Sequence, residues 1–333
     1  MDYPQISREF VRALRGRRSQ AALSRRLGYR TNVVYAWESG RNFPTAADTM
    51  RMARACGVNV LEALSEFYRR KPAFAERVDV VSPEGSTALL DDLRGRTSVV
   101  DLARAAGKSR FAVARWLNGD AEPKLPEFLM LIDKSSLRLL DFLAAFTDPR
   151  ALPSVAQVWQ ELEAARRAAY DVPWTQAVLR ALELSDYARL ERHVPGWVAQ
   201  RIGISLEQES ECLELLSRTG QVYESQGKLH LREVMALDTR RQPAAEKRVK
   251  RWWTELAVSR LAADSGGIFS YNVFAVSAED LRKIEDLYRA YFRQVRSIIA
   301  QSQPSERVVL ATLQLLSLDS AASVPANAEP PGA

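Results

Sequence analysis

Three consecutive polar residues near the N-terminus, Arg30, Thr31 and Asn32, are of the types that proteins use to read nucleic-acid bases. An asparagine carboxamide can form two hydrogen bonds with adenine, and a guanidinium can form two with guanine. None of the three residues is needed to fill an apolar core. We therefore expect them to recognise a partner outside the chain, and DNA base edges are the first candidate.

These residues lie between two short predicted helices, in the segment of residues 19–44. The apolar residues of the two helices recur at helical spacing; they are Ala22, Leu23 and Leu27, followed by Val33, Val34 and Trp37. Gly28 breaks the first run and provides a tight turn. Two short helices joined in this way form the helix-turn-helix, whose second helix lies in the DNA major groove.

The same segment resembles the DNA-binding domain of phage-repressor-like (XRE/Cro type) regulators. The shared features are Ser19-Gln20 opening the first helix, Leu23, Leu27-Gly28, the Trp37-Glu38-x-Gly40 closure and Pro44. The resemblance implies a five-helix domain over residues 1–71. It also implies that Gln20, Arg41 and Asn42 contact phosphates, while Tyr35 reaches a sugar or a thymine methyl group.

The pattern returns further along the chain. A shift of 79 positions maps Gly28 to Gly107, Trp37 to Trp116, Gly40 to Gly119 and Pro44 to Pro123, without a gap. An ungapped repeat of this kind predicts a second domain with the same fold over residues 86–146.

The second copy differs from the first where DNA would be contacted. Leu117 replaces Glu38, and Asp120 replaces Arg41, so its phosphate-facing set is weaker. Its predicted recognition helix nevertheless carries Arg110, Phe111 and Arg115, and Lys108 lies just before it, so four residues suited to DNA remain. Two interpretations stay open, a second DNA-reading domain or a degenerate copy that contacts proteins.

Positive charge is concentrated at the N-terminal end of the 333-residue chain, whose net charge is +6. Residues 1–71 carry 14 Lys and Arg against 6 Asp and Glu, a net charge of +8. The net charge is +1 over residues 86–146, −3 over residues 155–235 and +2 over residues 236–333. This polarity favours phosphate binding by the first domain.

The C-terminal half gives weaker signals. Residues 155–235 predict two bracing helices and then a unit that resembles winged-helix domains, but its would-be recognition helix carries four glutamates, which phosphates would repel. Residues 236–318 predict an α+β domain for dimerisation or sensing, with strands at 268–276 and 307–318 around a long helix. The run from about residue 186 to 318 resembles the C-terminal region of an uncharacterised bacterial regulator family. Residues 319–333 predict a disordered tail.

Other function classes find no support in the sequence. No nucleotide-binding, metalloprotease or serine-hydrolase motif is present, so we expect neither an enzyme nor a cofactor. Two cysteines and two histidines without metal-binding spacing predict no metal site. No apolar run is long enough for a membrane span, and no signal peptide is recognisable, so we expect a cytoplasmic protein.

The sequence as a whole predicts a mainly α protein with tandem five-helix repressor-like helix-turn-helix domains, a winged helix and a small α+β domain. We expect a sequence-specific transcriptional regulator that binds double-stranded DNA, forms a homodimer, and has room for a small-molecule or peptide effector in its C-terminal half. The alternative is a protein-interaction module, such as a transcriptional cofactor or anti-repressor, whose helix-turn-helix shapes bind other proteins.

Overall fold

The computed structural model describes residues 1–95, 97–232, 239, 242–263 and 266–319. Within these ranges the protein is mostly helical and has one small sheet of two strands. The predicted mainly α fold class is confirmed. None of the helices in the described ranges is long and apolar enough to cross a bilayer.

The first five helices form the unit that the N-terminal sequence predicts. They are α1 (Tyr3–Arg15), α2 (Gln20–Arg26), α3 (Val33–Ser39), α4 (Ala46–Ala55) and α5 (Val60–Tyr68). Ser19 caps α2 by accepting a hydrogen bond from the Ala22 amide, and Thr45 forms a capping box with Asp48 at the start of α4. Local capping chemistry therefore sets where these short helices begin.

The next five helices repeat the first five. They are α6 (Pro83–Arg94), α7 (Val99–Ala106), α8 (Arg110–Asn118), α9 (Leu125–Ser136) and α10 (Leu139–Phe146). Gly40 and Gly119, equivalent under the shift, both end their helices with left-handed backbone, at φ of 76° and 81°. Glycine is retained at both positions because a side chain would strain that conformation.

The two repeats share one hydrophobic core, which runs from Ile6 in α1 to Leu162 beyond the second repeat. Phe67 in α5 meets Phe142 in α10 edge to face, with ring centroids 5.7 Å apart. The connector of residues 72–85 belongs to the same core, because it buries Phe74 and Val81. The predicted break between the repeats therefore separates two units of one packed body.

The helix α11 (Pro153–Asp171) braces that body, and α12 (Thr175–Leu182) begins the next one. The Glu9 carboxylate on α1 accepts hydrogen bonds from the amide and hydroxyl of Ser154 at 3.0 and 2.6 Å. A second core then forms around Tyr187. Its elements are α13 (Ser185–Ala188), α14 (Trp197–Ile202), α15 (Leu206–Arg218), β1 (Val222–Ser225) and β2 (Lys228–Leu231), the strands pairing antiparallel.

The C-terminal part contains α16 (Pro243–Ala262) and the 24-residue α17 (Ala278–Gln301). The predicted strands at 268–276 and 307–318 are wrong for this structure, since neither segment pairs with a strand within the described residues. Most of their apolar side chains are exposed, and Ile268 is 99% exposed, whereas Val308 packs against the second core. The predicted disordered tail lies outside the described residues, except for Asp319.

Candidate nucleic-acid interface

The N-terminal end of α3 is open to solvent. Arg30, Thr31 and Asn32 are all exposed, whereas Val34 and Trp37 on the opposite side of the helix are buried. The predicted polar face and apolar face of this helix are thus found where the sequence placed them.

Asn32 has a structural task that the sequence did not reveal. It is the N-cap of α3, and its Oδ1 accepts hydrogen bonds from the Tyr35 amide at 3.3 Å and from the Ser24 hydroxyl at 3.2 Å. Ser24 in turn accepts from the Val34 amide at 3.1 Å, which joins α2 to α3. A two-bond contact from Asn32 to adenine would compete with this cap.

A buried carboxylate fixes the orientation of α3. Glu38 is only 4% exposed and accepts hydrogen bonds from the guanidinium of Arg15 on α1 and from the Gln20 carboxamide on α2, the latter at 2.8 Å. The hydrogen bond to Glu38 raises the pKa of Arg15. The Gln20 carboxamide therefore points inward to Glu38. The predicted contact of Gln20 with a phosphate would require the same amide group to bind both Glu38 and the phosphate.

The other side chains predicted for this surface lie at its rim. Tyr35, Arg41 and Asn42 are exposed, and the Arg41 guanidinium lies over the Tyr35 ring, 5.3 Å from its centroid. This stacking holds a cation and an aromatic ring together beside the recognition end of α3. The Asn42 Oδ1 accepts from the Phe43 amide at 2.8 Å, which orders the loop that follows α3.

The second repeat presents a comparable end at α8. Phe111 is 70% exposed, and the Arg110 guanidinium lies 5.0 Å from its ring centroid. Arg115 is exposed one turn later, while the Lys108 ammonium pairs with Glu127 at 3.3 Å. Arg110, Phe111 and Arg115 are therefore accessible on α8, and neither arginine forms an ion pair within the described part of the chain.

The two repeats are related by an internal two-fold arrangement. The Ala46 amide donates to the Pro123 carbonyl at 3.1 Å, and the Leu125 amide donates to the Pro44 carbonyl at 2.8 Å. Pro44 is equivalent to Pro123 and Ala46 to Leu125, so the exchange is reciprocal. Between them Thr45 and Lys124, also equivalent, form an antiparallel bridge.

The helix contacts obey the same symmetry. In the first repeat α1 packs on α9 of the second, and in return α6 packs on α4. The equivalents α5 and α10 pack on each other, as do α4 and α9. Equivalent surfaces thus meet each other, as in an isologous dimer interface.

Comparison with known families agrees with this geometry. Residues 8–67 match the family described as a helix-turn-helix domain. The N-terminal unit is a helix-turn-helix domain. Residues 154–318 match a second family, described as a domain of unknown function (DUF4423). No curated relative and no solved structure matches the chain.

The two matches confirm an N-terminal helix-turn-helix joined to a C-terminal region of an uncharacterised family. Placement of the helix-turn-helix domain in the phage-repressor-like group stays a prediction.

The residues that position α3, namely Ser24, Arg15 and Glu38, were missed as a network. The one available signal was the Trp37-Glu38 pair at the end of α3, since a glutamate inside an apolar row requires a partner.

The described part of the chain offers neither a cluster of metal ligands nor an exposed cysteine thiol. Among the residues that the structure describes, no group of three or more His, Cys, Asp or Glu side chains could hold a metal ion. Both cysteines are buried, and burial raises the pKa of Cys56 and raises the pKa of Cys212 to about 12. Both thiols are therefore held in their protonated, weakly nucleophilic form.

Proposed function

We propose that the protein is a sequence-specific DNA-binding transcriptional regulator that reads the major groove with α3. The observation that carries this proposal is the exposed end of α3, where Arg30 and Thr31 lie beside the stacked Arg41 and Tyr35. This end belongs to the most basic segment of the chain, residues 1–71, with a net charge of +8. Arginine and hydroxyl groups at a helix N-terminus are the usual readers of base edges in this motif.

The proposal gives Arg30 and Arg41 different roles in DNA binding, and replacing each by alanine distinguishes the two roles. Arg30→Ala should lower the preference for the selected site by roughly 10-fold, since a good bidentate base contact contributes about 1–3 kcal/mol. Arg41→Ala should weaken binding about equally on all DNA and reduce the salt dependence of log K by about one phosphate contact. Arg218→Ala is the matched control, because it removes an exposed arginine from the acidic segment 155–235.

Fluorescence anisotropy against a selected site and a scrambled duplex, at several salt concentrations, measures all three variants. Equal losses on both duplexes for Arg30→Ala would contradict its role as a base reader. If the unmodified protein itself prefers no sequence, the regulator proposal fails and the alternative, a protein-interaction module, takes its place.

We assign the third helical unit an architectural role outside the DNA groove. The order α14, α15, β1 and β2 supports its comparison with winged-helix domains. Glu207, Glu211 and Glu214 are exposed on α15, whereas Glu209 is buried and accepts a hydrogen bond from the Gly196 amide at 3.0 Å. The three exposed carboxylates oppose an approach to phosphates.

The proposal includes a homodimer joined through α17. The apolar residues of this helix recur at alternating intervals of three and four; they are Leu281, Ile284, Tyr288, Tyr291, Val295 and Ile298. That spacing is the coiled-coil repeat, which packs against another helix. Part of the row is open to solvent, because Tyr291 is 45% exposed and Ile298 is 66% exposed. Asp286 lies off the row and pairs with Arg70 of the N-terminal unit at 3.7 Å.

A second copy of the same helix, running antiparallel, complements this row in both apolar residues and charge. About the helix midpoint, Leu281 comes opposite Ile298, Ile284 opposite Val295, and Tyr288 opposite Tyr291. Residues 278–288 carry four acidic and two basic residues, whereas residues 289–301 carry three arginines and no acidic residue. Antiparallel pairing therefore brings opposite charges together, while parallel pairing would bring like charges together.

Sedimentation equilibrium of the full chain tests this dimer. Ile298→Asp should weaken self-association at least 10-fold without unfolding the protein, because it places a charge in the paired row at an already exposed position. Lys283→Ala, off the row, should leave the dimer intact. A wild-type chain that stays monomeric at every concentration, or two variants that behave alike, would refute pairing through α17.

We retain a small-molecule or peptide effector in the C-terminal half as part of the proposal. A cavity of about 870 Å³ lies between α13, α14, α16 and residues 306–310, and its lining includes Arg189, Arg201 and Arg260. Arg189 and Arg201 both pair with Asp186, but the lining as a whole carries four arginines against two carboxylates, and this net positive charge favours an anionic small molecule. Thermal-shift screening against carboxylate- and phosphate-bearing metabolites tests this choice, and a screen in which no such compound stabilises the chain contradicts it. A cytoplasmic location and the lack of enzymatic activity complete the proposal.

A further inference from the structure

The reciprocal hydrogen bonds at Pro44 and Pro123 place a two-fold axis between the two helix-turn-helix units. We infer that these units act as an internal pair that reads two half-sites of opposite orientation on one DNA duplex, within a single chain. This inference rests on the proposed function and specifies its DNA target. One chain would then do what two copies of a single-domain repressor do together.

The symmetry dictates the orientation of the half-sites. Double-stranded DNA has two-fold axes perpendicular to its own axis, and a two-fold pair of readers fits when the axes coincide. The two recognition helices then meet the major groove in opposite directions along the duplex. An inverted repeat satisfies this arrangement, whereas a direct repeat would require units related by translation.

The shared core makes the spacing between the half-sites rigid. Phe67 and Phe142 pack across the axis, and Arg138 from the second repeat donates to the Phe67 carbonyl at 2.8 Å. A linker of flexible residues would let the units follow half-sites at several spacings, but this interface cannot. One inserted base pair turns the second half-site by about 34° and moves it by about 3.4 Å, which breaks its register with α8.

The two half-sites must differ in sequence. At equivalent positions the first unit has Thr31 and Asn32, whereas the second has Arg110 and Phe111. The phosphate-facing Arg41 is replaced by Asp120, and the net charge falls from +8 over residues 1–71 to +1 over residues 86–146. The first unit therefore supplies most of the affinity, and the second adds discrimination and fixes orientation.

Selection of bound sequences from random DNA, followed by direct measurement, tests the inference. The full-length Ile298→Asp chain is used below its self-association range, so that a homodimer cannot supply the second half-site. We expect the unequal inverted pair at one spacing to bind at least 10-fold tighter than the direct repeat, the single half-site, or the same pair with one inserted base pair. Arg110→Ala should relax preference in the second half-site only, and Arg30→Ala in the first only.

Each other outcome has a defined meaning. Specific binding that is equal on single, direct and inverted sites, and unchanged by Arg110→Ala, overturns the internal pair and leaves the proposed regulator standing. Absence of any sequence preference overturns the proposed regulator, and the inference with it. Arg218→Ala again serves as the control for the loss of one exposed arginine.

Discussion

Replacement of the buried glutamate that orients α3 gives the sharpest test of the structure. In Glu38→Leu, the guanidinium of Arg15 loses its carboxylate partner and keeps only the carbonyls of Gly16 and Arg18, and the amide of Gln20 loses its acceptor at Glu38. Arg15 is only 17% exposed, so its charge is left largely uncompensated inside the unit. Removing one partner of a buried ion pair costs about 3–5 kcal/mol, and the 4% exposure of Glu38 places this case within that range.

The expected loss is large enough to follow by thermal unfolding. For a body of about 150 to 250 residues, each kcal/mol shifts the midpoint by about 2–4 °C, so a loss of about 3 kcal/mol lowers it by roughly 6–12 °C. The assay is circular dichroism at about 222 nm, which follows the loss of helix in a mostly helical chain. DNA binding should weaken as well, because α3 loses the contacts that hold it against α1 and α2.

The second repeat provides a matched control. At the positions equivalent to Arg12, Gln20 and Glu38 it has Asp91, Val99 and Leu117. There Arg94, the equivalent of Arg15, pairs with Asp91 at 2.6 Å. The triple variant Arg12→Asp/Gln20→Val/Glu38→Leu transfers this arrangement to the first repeat and should recover at least half of the lost stability.

Two results would refute the reasoning. A loss below about 1 kcal/mol in Glu38→Leu would mean that the network contributes no more than an exposed ion pair. A triple variant as unstable as the single one would mean that the uncompensated charge of Arg15 is not the cause of the loss.

Three further predictions concern separate parts of the chain. Burial raises the pKa of Glu9, but the hydrogen bonds from Ser154 and Gln5 lower it by more, so the net shift of this pKa is downward. The stability that this carboxylate gives is therefore present at neutral pH and is lost as the pH falls through its folded pKa. Denaturant midpoints measured from about pH 7 to about pH 3 should depend less on pH in Glu9→Gln. Cys212, whose pKa burial raises to about 12, should resist iodoacetamide in the native protein and react on unfolding, as mass spectrometry would detect; rapid native labelling would contradict its burial. Phe111→Ala should change unfolding free energy by less than about 0.5 kcal/mol, because the ring is exposed, and a larger loss in a chemical denaturation curve would show that the ring packs against the fold.

Features that depend on neighbours along the chain could be predicted from the sequence. The helix start at Ser19 and the turn at Gly40 arise from contacts within about four residues, and both are found where they were expected; the capping box at Thr45 is local in the same way. The repeat of 79 positions also reproduces α1–α5 as α6–α10, because identical local signals give the same local structure. The long helix α17 follows in the same way from its apolar row and its cap at Ser277.

Features that depend on distant partners required the tertiary structure. Alternating apolar residues at 268–276 favour a strand, but a strand exists only where another backbone pairs with it, and none does so in the described residues. The inward turn of Gln20 toward Glu38 and the hydrogen bond from Ser24 to Asn32 depend on residues that lie elsewhere in the sequence. The two-fold relation between the repeats likewise arises from the contact of Pro44 with Leu125. Local chemistry therefore determined which helices form, and non-local packing decided which way their functional side chains face.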